Sequence, residues 1–215
     1  MTLRTMNLDA FKATPLTREP FEFLTVPNFL NPEACAAINR DYPKIGRSGS
    51  YPVARLSFGP AFQTLLDELA SDAFRDAFAE KFDVDLTGRP HTITVRGQCS
   101  PRDGRIHTDT KSKILTLLIY MNPEWEHSGG RLRLLKSNAS LEDPIMEVPP
   151  AAGTLLAFKR SDNSWHGHKP FYGERRVIQF NWVTSEGDRR IAMLRHHLSA
   201  AVKRLFGSTS EQPCA

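Results

Sequence analysis

The sequence predicts a mainly β protein with flanking helices, a sandwich or jelly roll in which helices come first and an antiparallel β core follows. Three observations carry that expectation. From about residue 91, short runs rich in β-branched, aromatic or leucine residues recur between clusters of Gly, Pro, Asn and Ser. Before that point apolar residues recur at three- and four-residue spacing instead. The chain has 215 residues, 40% of them hydrophobic and 24% charged, enough for one domain with a core of its own.

Taken in order, the first ~50 residues read as irregular strand and a short helix. In "VPNFLNPEACAAINRDYP", Asn31 suits a cap and Pro32 the first helical turn. Cys35, Ile38 and Tyr42 share one face, and Pro43 stops the run. A second helical region is expected from about Pro60 to Phe82, with Phe62, Leu65 and Leu69, then Phe74, Phe78 and Phe82, at helical spacing. The strands expected next are "HTITVRGQ", "KILTLLIYM", "RLRLLK", "GTLLAFKR" and "RRVIQFNWV". Trp165 and Trp182 are expected in the core. A basic helix over 188–206 closes the domain, with Ile191, Leu194, Leu198, Val202 and Leu205 on one stripe and Arg189, Arg190, Arg195, Lys203 and Arg204 around it. The division is thus a helical region 1–90, a β core 91–184 and a terminal helix 188–206 within a single domain 1–206, and the tail 207–215 is expected to be disordered.

Composition excludes several classes. The longest apolar run, Ile114 to Met121, is far short of the ~18 residues a spanning helix needs, and the first residues lack a secretory apolar segment. Cys35, Cys99 and Cys214 form no CxxC pair and suggest no disulfide framework, so a reducing, cytoplasmic setting is expected. A net charge of +4 does not call for nucleic acid. The basic terminal helix could lie on an anionic membrane surface, but packing on the β core or on a second subunit is the simpler expectation.

The chemistry concentrates in "RIHTDTKSKILTLLIYMN" and "NSWHGHKPFYGERRVIQFNW". In extended chain, residues i and i+2 share a face, so His107 and Asp109 can point into one pocket while Thr108 points away. A neutral nitrogen beside a carboxylate is what a small chelating pair requires. Downstream, His166 and His168 again share a face. One of these imidazoles added to His107 and Asp109 makes two histidines and one carboxylate, the donor set of non-haem Fe(II) oxygenases, with coordination positions left open.

In this arrangement the β core, over roughly 91–184, resembles the Fe(II)/2-oxoglutarate-dependent dioxygenases, in particular their prolyl-hydroxylase-like branch. The elements of that pattern stand here in order: His107-Thr108-Asp109, "IYMN" with Tyr120, Gly129-Gly130, His166 with Pro170, and Gly173-Glu174-Arg175. The opening "VPNFLNPEACAAI" also looks like the entry to that fold. The resemblance implies a double-stranded β-helix that holds Fe(II) on His107, Asp109 and His166. It also implies 2-oxoglutarate as cosubstrate, its far carboxylate taken by the guanidinium fork of Arg175. Tyr120 would donate its hydroxyl to the same carboxylate, and Thr116, on the same strand face as Tyr120, would assist. With O2, the expected reaction hydroxylates a carbon of a small-molecule or peptide substrate and releases succinate and CO2. Asp109 favours hydroxylation, because a halogenase of this superfamily would leave that position without a carboxylate.

Two choices stay open. The position two after the distal histidine is often apolar in this family, and here it is His168; spacing to Pro170 and Arg175 favours His166. Arg176 rivals Arg175, since a one-residue shift in the turn exchanges them. Arg96 and Gln98, on the strand before the H-x-D motif, could line the substrate mouth. His91, His127, His196 and His197 are not expected to do chemistry. Two other functions compete. One is a cupin-like jelly roll binding a metal or sugar without oxidation. The other is nucleic-acid demethylation, ranked low because no arginine-rich pattern follows the distal histidine.

Overall fold

The computed structural model describes residues 4–195 of the chain. In the N-terminal part, α1 (Leu8–Ala13) is capped by the Asn7 side chain, which accepts the Ala10 N–H at 2.9 Å. Strand β1 (Phe23–Val26) and helix α2 (Pro32–Arg40) follow, then a two-residue strand β2 (Tyr51–Pro52). Asn31 sits at the cap position of α2, but its amide donates to the Arg4 carbonyl at 2.9 Å instead of capping. The single helical region expected over 60–82 is two helices, α3 (Pro60–Leu69) and α4 (Asp72–Phe82). They divide at Ser71, whose hydroxyl accepts the Phe74 N–H and starts a new helix.

The β core contains β3 (His91–Cys99), β4 (Lys113–Tyr120), β5 (Leu132–Leu135), β6 (Pro144–Val148), β7 (Leu155–Lys159), β8 (His166–His168) and β9 (Gly173–Val183). A six-stranded sheet has the order β1-β7-β4-β9-β3-β2 and a three-stranded sheet the order β6-β5-β8, with every pairing between these strands antiparallel. This is the expected mainly β, jelly-roll architecture.

The larger sheet is covered on both faces. On β4, Leu115, Leu117 and Ile119 lie in one apolar cluster with Phe62, Phe74 and Phe78 from the helices. On the other face, Leu118 and Tyr120 pack in a second cluster with Leu132 and Leu134 of the smaller sheet. Period-two alternation on a strand buried on both sides therefore separates two cores rather than a core from water. Trp182 belongs to the helix-side cluster. Helix continues from residue 186 to 195; the rest of the expected 188–206 helix and the tail 207–215 lie outside the described residues. No described helix is long and apolar enough to cross a membrane.

Candidate metal centre and cosubstrate pocket

A loop segment and the short strand β8 deliver the three donors. The segment carrying His107 and Asp109 is loop rather than strand, but His107 and His166 exchange backbone hydrogen bonds of 3.0 Å in both directions. That bridge brings the two imidazoles together, with ring centroids 4.3 Å apart. One donor atom from each of His107, Asp109 and His166 lies within 4.8 Å of the others. His107 is exposed at the rim, while Asp109 and His166 are buried.

The hydrogen bonds of the rings decide which nitrogens are available. His107 Nδ1 lies 2.8 Å from the Arg105 carbonyl and His166 Nδ1 lies 3.0 Å from the Ser164 carbonyl. A carbonyl only accepts, so each Nδ1 carries the proton and each Nε2 keeps its lone pair. Burial drives the His166 pKa down to about 4, against the pull of Asp109, so the ring is neutral near pH 7 as a ligand must be. Burial would raise the Asp109 carboxyl, but the Lys113 ammonium, the His166 ring and hydrogen bonds from Lys113 and Thr116 outweigh it and hold it at about 2. Lys113 Nζ lies 2.7 Å from Asp109 Oδ1, and the Thr116 hydroxyl donates to Oδ2 at 2.5 Å. Asn181 Oδ1 is 3.0 Å from the same hydroxyl, and the Asn181 amide donates to Thr92 at 3.1 Å.

His168 lines the same cavity but lies outside this cluster. Its Nδ1 sits 2.8 Å from the Lys169 carbonyl, and its Nε2 sits 4.0 Å from Cys99 Sγ. Gly104 makes room for that ring. It adopts φ +85°, and a Cβ there would stand 2.4 Å from His168 Nδ1, so only glycine fits.

The cavity holds about 120 Å³. Beyond the His–Asp–His cluster its wall turns apolar, with Leu118, Leu132, Phe158 and Val177, and there Arg175 enters. Arg175 is 5% exposed. Its Nε donates to the Gly130 carbonyl at 2.7 Å, and its guanidinium lies 5.5 Å from the Tyr120 ring centroid. Gly130, at φ +74°, supplies the turn that aims this carbonyl. The Tyr120 hydroxyl is buried and makes no hydrogen bond. Burial pushes its pKa up to about 12; the neighbouring guanidinium pulls the other way without reaching hydrogen-bond geometry. Arg176, one residue on, takes the opposite face of β9: its Nε pairs with Glu174 at 3.0 Å and its guanidinium lies 5.5 Å from the Tyr42 ring centroid.

The structure thus brings together His107, Asp109 and His166, and separately Arg175 and Tyr120 at the cavity's apolar end. Thr116 stands against Asp109 instead of against Arg175. Lys113 and Asn181 are the residues that sequence reasoning missed. The i,i+4 spacing of Asp109 and Lys113 was a signal for the first; nothing in the sequence marked the second. The residues fit the groups that the donor set implies. Two imidazoles with free Nε2 atoms and a carboxylate suit a ferrous ion with open positions. A buried guanidinium beside an orphaned phenol suits a carboxylate.

Comparison with known proteins agrees. Residues 97–184 match the family model of the 2OG-Fe(II) oxygenase superfamily. No curated protein matches the chain by sequence. Among solved structures, a Pseudomonas putida prolyl-4-hydroxylase superposes with a TM-score of 0.53 at 19% identity, over 83% of this chain and 92% of that one. A Trichoplax adhaerens prolyl hydroxylase, solved with a hypoxia inducible factor peptide fragment, gives a TM-score of 0.55 at 20% identity, over 75% of this chain and 83% of that one. A Burkholderia pseudomallei oxidoreductase of the 2OG-Fe(II) oxygenase family gives 0.52 at 14% identity, over 85% and 93%. At such identities the likeness speaks for the fold, and the family model, which covers residues 97–184, likens the β core to the 2OG-Fe(II) oxygenases.

Proposed function

We propose that the protein hydroxylates a carbon of a small-molecule or peptide substrate. 2-Oxoglutarate, O2 and R–H become succinate, CO2 and R–OH, so one oxygen atom enters the succinate carboxylate and the other the product hydroxyl. The observation that carries this reading is one cavity with the His107–Asp109–His166 donors in its wall and the buried Arg175 guanidinium at its apolar end.

In this reading His107 Nε2, His166 Nε2 and an Asp109 oxygen hold iron, which supplies oxygen activation when bound. The chain's own share is placement. The carbonyls of Arg105 and Ser164 fix the two rings, and Thr116 and Lys113 fix the carboxylate. Arg175 takes the far carboxylate of 2-oxoglutarate through its terminal nitrogens, since its Nε is committed to Gly130, and Tyr120 gives its unused proton to the same group. The apolar lining from Leu118, Leu132, Phe158 and Val177 keeps water from that contact and strengthens it.

The test is succinate formation from 2-oxoglutarate with Fe(II) and ascorbate. His107→Ala and Asp109→Ala should abolish it; full turnover by either variant would disprove the ligand assignment. Arg175→Met should raise the 2-oxoglutarate requirement about tenfold to a hundredfold, the scale of a charge-assisted hydrogen bond, while metal still binds. A cupin-like protein without oxidation has no need of that guanidinium and would consume no 2-oxoglutarate.

A further inference from the structure

We propose that the substrate oxidised at this centre carries a free carboxylate, and that Arg96 binds it. The inference rests on the oxygenase reading above and adds the substrate's chemical class. Once the His–Asp–His cluster and the Arg175 end are assigned, the polar side chains left in the cavity wall are Arg96, His168 and Gln179. Arg96 stands opposite Val177 across the β3–β9 pairing and is the one cation of this set.

Arg96 is held in place as a presented group. The Tyr42 hydroxyl donates to its carbonyl at 2.7 Å. The pairing of β3 with β9 shifts register between Arg96 and Gln98, and such a bulge re-aims the neighbouring side chain. Gly97 permits it, because a Cβ there would stand 2.7 Å from the Ile45 carbonyl oxygen. The Arg96 Nε–H is spent on Ser50 Oγ at 2.8 Å. The nearest carboxylate oxygen, Asp103 Oδ2, is 3.7 Å from its NH1 and already accepts the Ser100 N–H at 2.9 Å. The Ser50 bond and the ion pair to Asp103 hold the guanidinium in the cavity wall, and a planar fork is the group that takes a carboxylate bidentately. The other cation beside the centre, Lys113, is paired with Asp109 at 2.7 Å. A carboxylate matches the planar fork of one guanidinium, whereas a phosphate dianion calls for a second cation. Gln179 lines the same cavity and offers its amide to the polar groups of a small acid.

The experiment uses the full chain with Fe(II) and 2-oxoglutarate. The twenty protein α-amino acids are supplied as free acids and, in parallel, as C-terminal amides, and succinate formation above the compound-free rate is measured. The expected result is that the acids which stimulate turnover exceed their amides in kcat/KM by about tenfold to a hundredfold. That ratio should fall toward one in Arg96→Gln and be partly kept in Arg96→Lys. The amides of Asp and Glu keep a side-chain carboxylate; stimulation by these alone would assign the anion to the side chain and still support Arg96. The inference is overturned if the wild-type protein takes amides as well as acids, if no acid stimulates while succinate still forms, or if Arg96→Gln leaves the ratio unchanged. The wild-type arm decides even if the variants do not fold. Failure to form succinate with any compound or without one sinks the oxygenase reading itself.

Discussion

The two faces of the six-stranded sheet are both covered and do opposite work. Toward the helices, β4 and β9 set Leu117 opposite Phe180 and Ile119 opposite Ile178, all apolar and almost wholly buried. Toward the smaller sheet, the alternate register sets Thr116 opposite Asn181 and Leu118 opposite Gln179, with Arg175 and Tyr120 at one end and Asp109 held against Thr116. A buried polar group is costly unless it is partnered, so that face is expensive to build. Much of the expense is offset by one hydrogen-bonded chain, from Lys113 through Asp109, Thr116 and Asn181 to Thr92, while the Tyr120 hydroxyl and Thr94 Oγ1 are left without a partner. The comparison teaches that burial alone does not separate structure from function in this sheet; the side chain's parity along the strand does.

The strongest way to break the comparison is to cut the polar face at its end. Asp109→Ala should abolish turnover and metal binding together. Saturating the wild-type protein with Mn(II) at a hundred times its Kd should raise unfolding free energy by about 2.7 kcal/mol, and Asp109→Ala should show no such gain in thermal melts. A variant that kept the gain would move the metal elsewhere. The helix-side face should answer in the other currency. Phe74 packs on Phe78, Phe180 and Trp182 and is fully buried. Phe74→Ala should cost about 3–5 kcal/mol of stability in urea unfolding while the 2-oxoglutarate requirement of the folded fraction stays unchanged.

Thr116→Val sharpens the same contrast on a single strand. The substitution keeps the volume and removes the proton that reaches Asp109 Oδ2. Metal affinity should weaken about tenfold to a hundredfold, read by titration with Mn(II), and Thr116→Ser should restore it. If Thr116 instead served the cosubstrate, Val would raise the 2-oxoglutarate requirement and leave Mn(II) binding alone.

Parity was also what the sequence made legible. The alternation in "KILTLLIYM" and "RRVIQFNWV" sufficed to place Thr116, Leu118 and Tyr120 on one face, and the i,i+2 spacing put His107 and Asp109 on one side. What stayed hidden has physical reasons. Strand β8 is three residues, His-Gly-His, too short to show a period, and β6 opens on Pro144. Helix α1 buries Phe11 alone, so it shows no stripe, and the break at Ser71 is a cap inside an otherwise continuous apolar pattern. His166 and His168 share a face and are both buried, so parity does not separate them, and only the spacing to Pro170 and Arg175 favoured His166. The difference lies in which backbone carbonyl and which cysteine sulfur each ring meets, and that is set by tertiary contacts. Thr116 was placed on the right face, and the partner it meets there is Asp109, which the sequence did not show because parity fixes direction across the sheet and not the neighbour met there.

The smallest expected effect is the sharpest test of parity, since it concerns neighbours in sequence. Arg175 and Arg176 are adjacent on β9 and carry the same charge. Arg176 holds Glu174 at 3.0 Å with its side chain 31% exposed and lies over the Tyr42 ring on the helix side. Such partly exposed pairs contribute about 0.2–1 kcal/mol, so Arg176→Ala should lower stability by no more than about that amount and leave the 2-oxoglutarate requirement where it was. Arg175→Met should do the reverse, with little change in metal affinity and a large change in cosubstrate requirement. If Arg176→Ala were the variant that raised the requirement, β9 would have to be turned by one residue in the working enzyme. Asn181 would then leave Thr116, and Gln179 would leave the cavity with it. Succinate assays at graded 2-oxoglutarate on these two variants therefore test the register of the whole strand.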